Sequence, residues 1–247
     1  ILKMAKLIRL DQYLVENKLV NSLKEASILI NRNQIRVPNL NSKFLFEHTL
    51  ININDKVEIE KKEFVSRGGG KLNKFIEDSR LIIKNKLCLD VGASTGGFTD
   101  SLLQNGAKKV YCLDVGKSQL DTSIKNDERV EFFENINARY EFNIIVNKFD
   151  VIVVDVSFIS VLKIVPNLIK FLSENSKLVI LIKPQFEAKK SQVSSGGVIK
   201  DDFLIPEIIN DVIKGVASNK LKLVSLKKSQ IKGRKGNQEF FAMFKLS

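Results

Sequence analysis

Four runs along the chain, KLCLDV at 86–91, KVYCLDV at 109–115, FDVIVVDV at 149–156 and KLVILIK at 177–183, are apolar almost without interruption. A strand that alternates apolar and polar residues buries one face, whereas a strand apolar throughout is buried on both, as in a parallel sheet covered by helices. Stretches of helical spacing separate and follow these runs: Thr99 to Asn105, Gln119 to Asp127, Ile159 to Leu172 and Ile205 to Ala217. LKLVSLKKS and NQEFFAMFKL then read as a terminal pair of strands. The order predicts a doubly wound, Rossmann-like α/β domain over residues 71–247.

The beginning of the chain follows another pattern. RLDQYLVENKLVNSLKEASILINRNQIRV predicts two short amphipathic helices, with Leu10, Tyr13 and Leu14 on one face and Leu23, Ala26 and Ile30 on the other. Ser22 and Glu25 have capping-box spacing at the second start. Strand-like pieces follow at Gln34 to Val37 and Lys56 to Glu60. Residues 7–62 are thus expected to form a small α+β domain, and residues 63–70, containing FVSRGGG, a linker.

Composition narrows the function. Forty basic against 28 acidic residues give a formal charge of +12, which favours a polyanionic partner, nucleic acid first and an acidic membrane surface second. No run of about eighteen residues is free of charge, so no membrane span is expected. The start lacks the apolar core of a secretory signal, and Met4 is a candidate native start. Cys88 and Cys112 lie in apolar runs and His48 is the sole histidine, so buried reduced thiols, a cytoplasmic setting and no metal centre are expected.

LDVGASTGGF, Leu89 to Phe98, is a strand entering a glycine turn and then a helix, the place where a doubly wound sheet binds a nucleotide-like ligand. It is neither the dinucleotide fingerprint nor a Walker loop. Asp114, at the end of the next strand, can accept both hydroxyl protons of a ribose. A glycine turn with that carboxylate suits S-adenosylmethionine, which has a ribose and no pyrophosphate. Carboxyl ends of parallel strands face the ligand crevice, so Asp155 and Lys183 can meet there, with Lys71 and Glu239 joining from the two ends of the domain. A serine nucleophile at Ser157 is rejected for want of a histidine base. Basic residues crowd two loops: Lys189 and Lys190 beside the glycines of SSGG, and LKKSQIKGRKG, which includes Lys232, Arg234 and Lys235. Both are expected to contact RNA, the first as a mobile loop.

Two resemblances sharpen this reading. Residues 7–62 resemble the RNA-binding fold of ribosomal protein S-four at Arg9, Leu10, Asp11, Leu14, Ser22, Ala26, Ile30, Ile35 and Val37, with departures at Asn33 and at the Pro38-Asn39 turn. Arg9, Lys24, Arg32 and Arg36 are its candidate phosphate contacts. Over nearly its full length the chain resembles the TlyA-type rRNA 2′-O-methyltransferases, also called hemolysin A, through SRGGGKL, LDVGASTGGFTD, LDVGKSQL, NAR, DVSFIS, LIKPQFE, GGVIKDD and IKGRKGNQEFF. The resemblance implies the Lys-Asp-Lys-Glu set of FtsJ-type ribose methyltransferases at Lys71, Asp155, Lys183 and Glu239. It implies a methyl-donor site of Gly92, Ser94, Thr95, Gly96, Gly97, Phe98, Asp114 and Asn137. Gly70 departs from relatives that carry a larger residue before the lysine.

The resemblance thus implies an S-adenosylmethionine-dependent enzyme that methylates the 2′-hydroxyl of an rRNA cytidine within ribosomal subunits. Lys183 would be the base, without membrane or metal and with a monomer favoured. Because the chain stops at Ser247 with no residues for a tail helix, the large subunit is the expected substrate. Rival readings are a noncatalytic ribosome-assembly factor, a membrane-lytic hemolysin and a small-molecule methyltransferase. The first requires a broken catalytic set, the second an insertion segment, and the third leaves the basic N-terminal domain and loop without a role.

Overall fold

The computed structural model describes residues 6–31, 34–40, 45–59 and 63–247. It comprises two compact units, Ile1–Glu63 and Phe64–Ser247. Met4, Arg32 and Asn33 lie outside the described residues.

In the first unit the order is β1 (Leu7–Arg9), α1 (Leu10–Glu16), α2 (Leu23–Asn31), β2 (Ile35–Arg36), β3 (Leu50–Asn52) and β4 (Glu58–Ile59). β1 pairs antiparallel with β3, and β2 with β4. Leu10, Leu14, Ala26, Ile30 and Ile51 form its core. Leu23, expected on the inner face of α2, is 53% exposed, and Val20 is buried instead. A first-turn side chain leans back beyond the helix start, so Leu23 overshoots the core that Ala26 and Ile30 reach. The cap is also half as expected. Ser22 Oγ accepts from Glu25 N at 3.2 Å, but the Glu25 carboxylate accepts from Asn21 N at 2.8 Å, one residue earlier. Pro38-Asn39 forms a turn closed by Leu40 N donating to Val37 O at 2.9 Å, with proline's fixed φ serving the second turn position.

The second unit runs α3 (Arg67–Ser79), β5 (Leu87–Val91), α4 (Gly97–Gln104), β6 (Lys109–Leu113), α5 (Thr122–Lys125), β7 (Val130–Phe133), β8 (Phe149–Val154), α6 (Val165–Leu168), β9 (Leu172–Ile182), α7 (Pro184–Glu187), α8 (Ile205–Ala217), β10 (Leu221–Lys228) and β11 (Phe240–Leu246). They build one sheet of order β10-β11-β9-β8-β5-β6-β7. Strands β9, β8, β5, β6 and β7 are parallel, and β11 enters antiparallel between β9 and β10. Apolar clusters fill both faces, which is why these strands lack alternation. The helix expected over Ile159 to Leu172 is broken into α6 and two flanking 3-10 turns, with Pro166 in the first turn of α6.

The expected linker needs correction. Arg67 to Gly70 are the first turn of α3, with Ser66 as the N-cap residue. Glycine is poor in helices, costing roughly 1 kcal/mol against alanine, yet here its lack of a side chain lets two helices touch. A Cβ on Gly69 would lie 2.5 Å from Phe64 Cβ and 2.9 Å from the carbonyl oxygen of Gly97 in α4, and one on Gly97 would lie 3.0 Å from Gly69 N. Gly69→Ala is therefore expected to destabilise the protein by about 1–3 kcal/mol despite alanine's better propensity. Urea denaturation checks this, and an unchanged or higher midpoint would show that α3 and α4 separate freely.

Candidate active site

Each proposed catalytic side chain stands at an element boundary or close to one. Asp155 follows β8, Lys183 follows β9 and precedes Pro184 at the start of α7, Glu239 precedes β11, and Lys71 lies in the second turn of α3. Because β11 runs antiparallel with Phe240 opposite Ile182, its first residues arrive at the edge where β9 ends. Two ion pairs result. Lys71 Nζ donates to Glu239 Oε2 at 2.6 Å with side chains only 10% and 3% exposed. Lys183 Nζ is 2.6 Å from Asp155 Oδ1 and donates to Ser157 Oγ at 2.8 Å. The Asp155 contact is a charge contact without hydrogen-bond alignment. Gly70 brings no side chain to the position before Lys71, and the Lys71 ammonium is held by the buried Glu239.

Two cavities open at this edge. One of about 360 Å³ is lined by Gly92, Ser94, Asp114, Val115, Asn137 and Phe158 among others. The other, about 190 Å³, is lined by Lys71, Lys183, Thr95, Gly97, Phe98 and Gly68 among others. They share Gly92, Ser94, Asp155 and Ser157. Gly92 sits at φ +87°, and a Cβ there would lie 2.5 Å from the Asp155 carbonyl oxygen, so a side chain would push the glycine turn off the Asp155 loop. Asp114 is oriented by two backbone donors, Ser94 N to Oδ2 and Gly116 N to Oδ1, both at 2.7 Å. Phe98 is buried with its ring 6.0 Å from Phe241, and Gly96 faces Leu120 and Ile124 rather than either cavity. The larger cavity's size and its mix of apolar walls with the backbone-held carboxylate of Asp114 fit a nucleoside-sized ligand such as S-adenosylmethionine.

The second unit's sequence supplies the deciding comparison: residues 64–246 match the model of the FtsJ-like methyltransferase family. The chain belongs to this family. Its relatives include Hemolysin A of Brachyspira hyodysenteriae, 42% identical over 96% of this chain and 99% of that one. The 16S/23S rRNA (cytidine-2′-O)-methyltransferase TlyA of Mycobacterium tuberculosis is 36% identical over 96% of this chain and 90% of its own. A Streptococcus thermophilus structure named as a hemolysin superposes with TM-score 0.74 at 31% identity, covering 98% of this chain and 89% of that one.

Within this family member, residues inside DVSFIS and LIKPQFE stand at the site although sequence reasoning gave them no role there. Phe158 is 91% exposed at φ +65°, and its ring lies tilted against that of Phe186, centroids 5.1 Å apart. A left-handed phenylalanine is uncommon and costs roughly 1–2 kcal/mol. Glu187 ties the loop after β8 to α7 by accepting from Ser160 Oγ at 2.5 Å and Val161 N at 2.9 Å, and burial raises its carboxyl above the usual range. Ser157 is the hydrogen-bond acceptor for Lys183.

The basic candidates divide by unit. In the first, Lys24 and Arg36 are exposed, and Arg9 forks onto Asp11 at 3.0 and 2.7 Å, which lowers the Asp11 carboxyl. Arg32 is not among the described residues. In the second, Lys189, Lys190, Lys232, Arg234 and Lys235 are all exposed. The SSGG segment, expected to be mobile, is a hydrogen-bonded turn: Ser194 N donates to Val198 O and Gly197 N to Ser194 O, both at 2.9 Å. Buried Asn237 ties it to the second basic loop, donating to Gly197 O at 2.9 Å and accepting from Ile199 N at 3.1 Å.

Asp90, inside β5, is fully buried. Its Oδ2 accepts from Thr99 Oγ1 at 2.7 Å, while Oδ1 has no hydrogen-bond partner. Burial above all, with the charges of Asp155 and Asp114 adding, pushes its carboxyl up to about 7 against the opposing Thr99 bond. Since the folded value exceeds the unfolded one, the native state binds the proton more tightly. The associated stability is fully present below about pH 4 and lost as pH rises through about 7. Asp90→Asn should therefore be more stable than wild type at pH 8, by about 2–4 kcal/mol, with the advantage vanishing toward pH 4. Denaturation midpoints across that range check it, and parallel curves for the two proteins would remove Asp90 as the source.

Proposed function

We propose that this chain transfers a methyl group from S-adenosylmethionine to the 2′-hydroxyl of a cytidine in rRNA, working where ribosomes are, in the cytoplasm. One observation carries the reading: a nucleoside-sized cavity and a lysine-lined cavity meet at Gly92, Ser94, Asp155 and Ser157. The donor's ribose belongs with Asp114 and Asn137 in the larger cavity, and the acceptor ribose with Lys71 and Lys183 in the smaller. When bound, S-adenosylmethionine supplies a methyl carbon on a positively charged sulfur, which departs as a neutral thioether.

A ribose hydroxyl is a weak nucleophile and must lose its proton as the new O–C bond forms. Lys183 accepts that proton through its amine form, reached once the ion-paired ammonium has yielded a proton to solvent. The ammonium so formed is the state that Asp155 at 2.6 Å and Ser157 at 2.8 Å stabilise, so their attraction grows along the reaction. Lys71, held by buried Glu239, fixes the acceptor and its developing negative charge. Phe158 offers an exposed aromatic face at the rim of the donor cavity, suited to an unstacked base. The exposed cations of the basic loops and of the S-four-like unit suit the phosphate backbone.

The relative's printed activity, on cytidine of 16S and 23S rRNA, supports the substrate. Among the described residues no helix is long and apolar enough to cross a membrane. Incubation with labelled donor and ribosomal subunits, followed by mapping of modified sites, tests the proposal. A cytidine 2′-O-methyl group in either rRNA supports it, whereas base methylation alone would falsify it. Lys183→Ala should lose about two to four orders of magnitude in turnover with donor affinity little changed. Asp114→Ala should instead weaken donor binding measured by calorimetry, and an unchanged dissociation constant would remove Asp114 from that site.

A further inference from the structure

A third cavity, about 530 Å³, lies between the start of α8 and the β10–β11 hairpin. Its floor is apolar, from Ile205, Pro206, Ile213 and Leu226, and Lys228 and Lys232 stand on its wall with Asn210 and Gln238. Residues alternate across β11: Phe240 packs into the cluster that contains α8, and Phe241 into the cluster on the α3 side. Gln238 and Phe240 thus face α8, while Glu239 between them turns toward Lys71. Phe240 lies opposite Ile182, the residue before Lys183. The cavity therefore opens at the catalytic edge of the sheet, one strand from Lys183 and on the opposite face.

Beside it stands an unexplained aromatic. Phe203, in the 3-10 turn that feeds α8 between the lining residues Asp202 and Ile205, is 93% exposed. A solvated phenylalanine flanked in sequence by residues that line an apolar hollow walled by two lysines supplies the components of a single-strand nucleic-acid subsite, a stacking face with cations for the backbone. Asp202 adds one carboxylate, an acceptor for the exocyclic amine of a base, against the two lysines.

We infer that this groove holds an unpaired nucleotide of the substrate RNA close to the methylated one, with its base against Phe203 and its phosphates on Lys228 and Lys232. The inference rests on the RNA methyltransferase reading and adds a second base subsite to it. The strand passes from the lysine-lined cavity over the basic 229–238 loop into the groove, so the same loop serves both faces of the sheet.

Phe203→Ala tests it without touching the core. Its KM for ribosomal subunits should rise about tenfold, the loss of one stacked base, with kcat and donor affinity unchanged, and Phe203→Trp should restore it. Cys88 and Cys112 are buried, so a photoreactive thiol reagent on Asn210→Cys reports from the groove alone. Cross-links to rRNA near the modified cytidine are expected. A wild-type KM in Phe203→Ala, or cross-links confined to ribosomal protein or distant rRNA, would overturn the subsite while leaving the activity standing. Absence of methylation by the wild-type protein would instead overturn the activity, and the cross-links would still report whether RNA occupies the groove.

Discussion

Lys71 and Glu239 hold one another at 2.6 Å in the interior, although 168 residues separate them in sequence. Two charges taken from water cost several kcal/mol each, and stranding either one by removing its partner typically costs about 3–5 kcal/mol. The pair is therefore tolerable only where the surroundings fix its geometry, and those surroundings are most of the domain. The glycine contact between α3 and α4 sets the position of Lys71, and the pairing of β11 with β9 sets that of Glu239. Gly233 contributes as well, since a side chain there would lie 2.6 Å from Glu239 Oε1. The second ion pair has its own source, the parallel pairing of β9 with β8 that carries Lys183 and Asp155 to the same edge, so β9 serves both pairs.

Much of this was legible in the sequence because parallel strands buried on both faces leave uninterrupted apolar runs. KLCLDV, KVYCLDV, FDVIVVDV and KLVILIK became β5, β6, β8 and the end of β9, and chemistry followed from their carboxyl ends. The α8 boundaries were visible too, since its stripe of Ile208, Ile209, Val212 and Val216 has helical spacing. Short elements were not. β1 and β3 span three residues each, too few for a period to show, and the GGG of α3 reads as a breaker because its reason lies in another helix. Asp90 looked like an ordinary residue of a nucleotide-binding turn, and its missing partner at Oδ1 is a property of the packed interior. Phe158 and Phe203 were hidden for the opposite reason: hydrophobic pattern assigns aromatics to cores, and these two are exposed.

The sheet also separates duties between its faces. On the α3 side, charged groups are paired at short distance and nearly closed to solvent. On the α8 side, the groove is open and apolar with cations at its wall. One alternation along Gln238, Glu239 and Phe240 directs side chains to both.

The position of β11 bears on how the protein is made. Domains form during synthesis from the N-terminal side, at about 5–20 residues per second, but the strand completed late here is an interior one. Until Phe240 to Leu246 emerge, β9 and β10 have no common neighbour, and the lysine of α3 has no carboxylate. A nascent chain whose β11 is still inside the ribosome that translates it would accordingly hold an unfinished edge at the proposed site, completed only as those residues clear the exit tunnel.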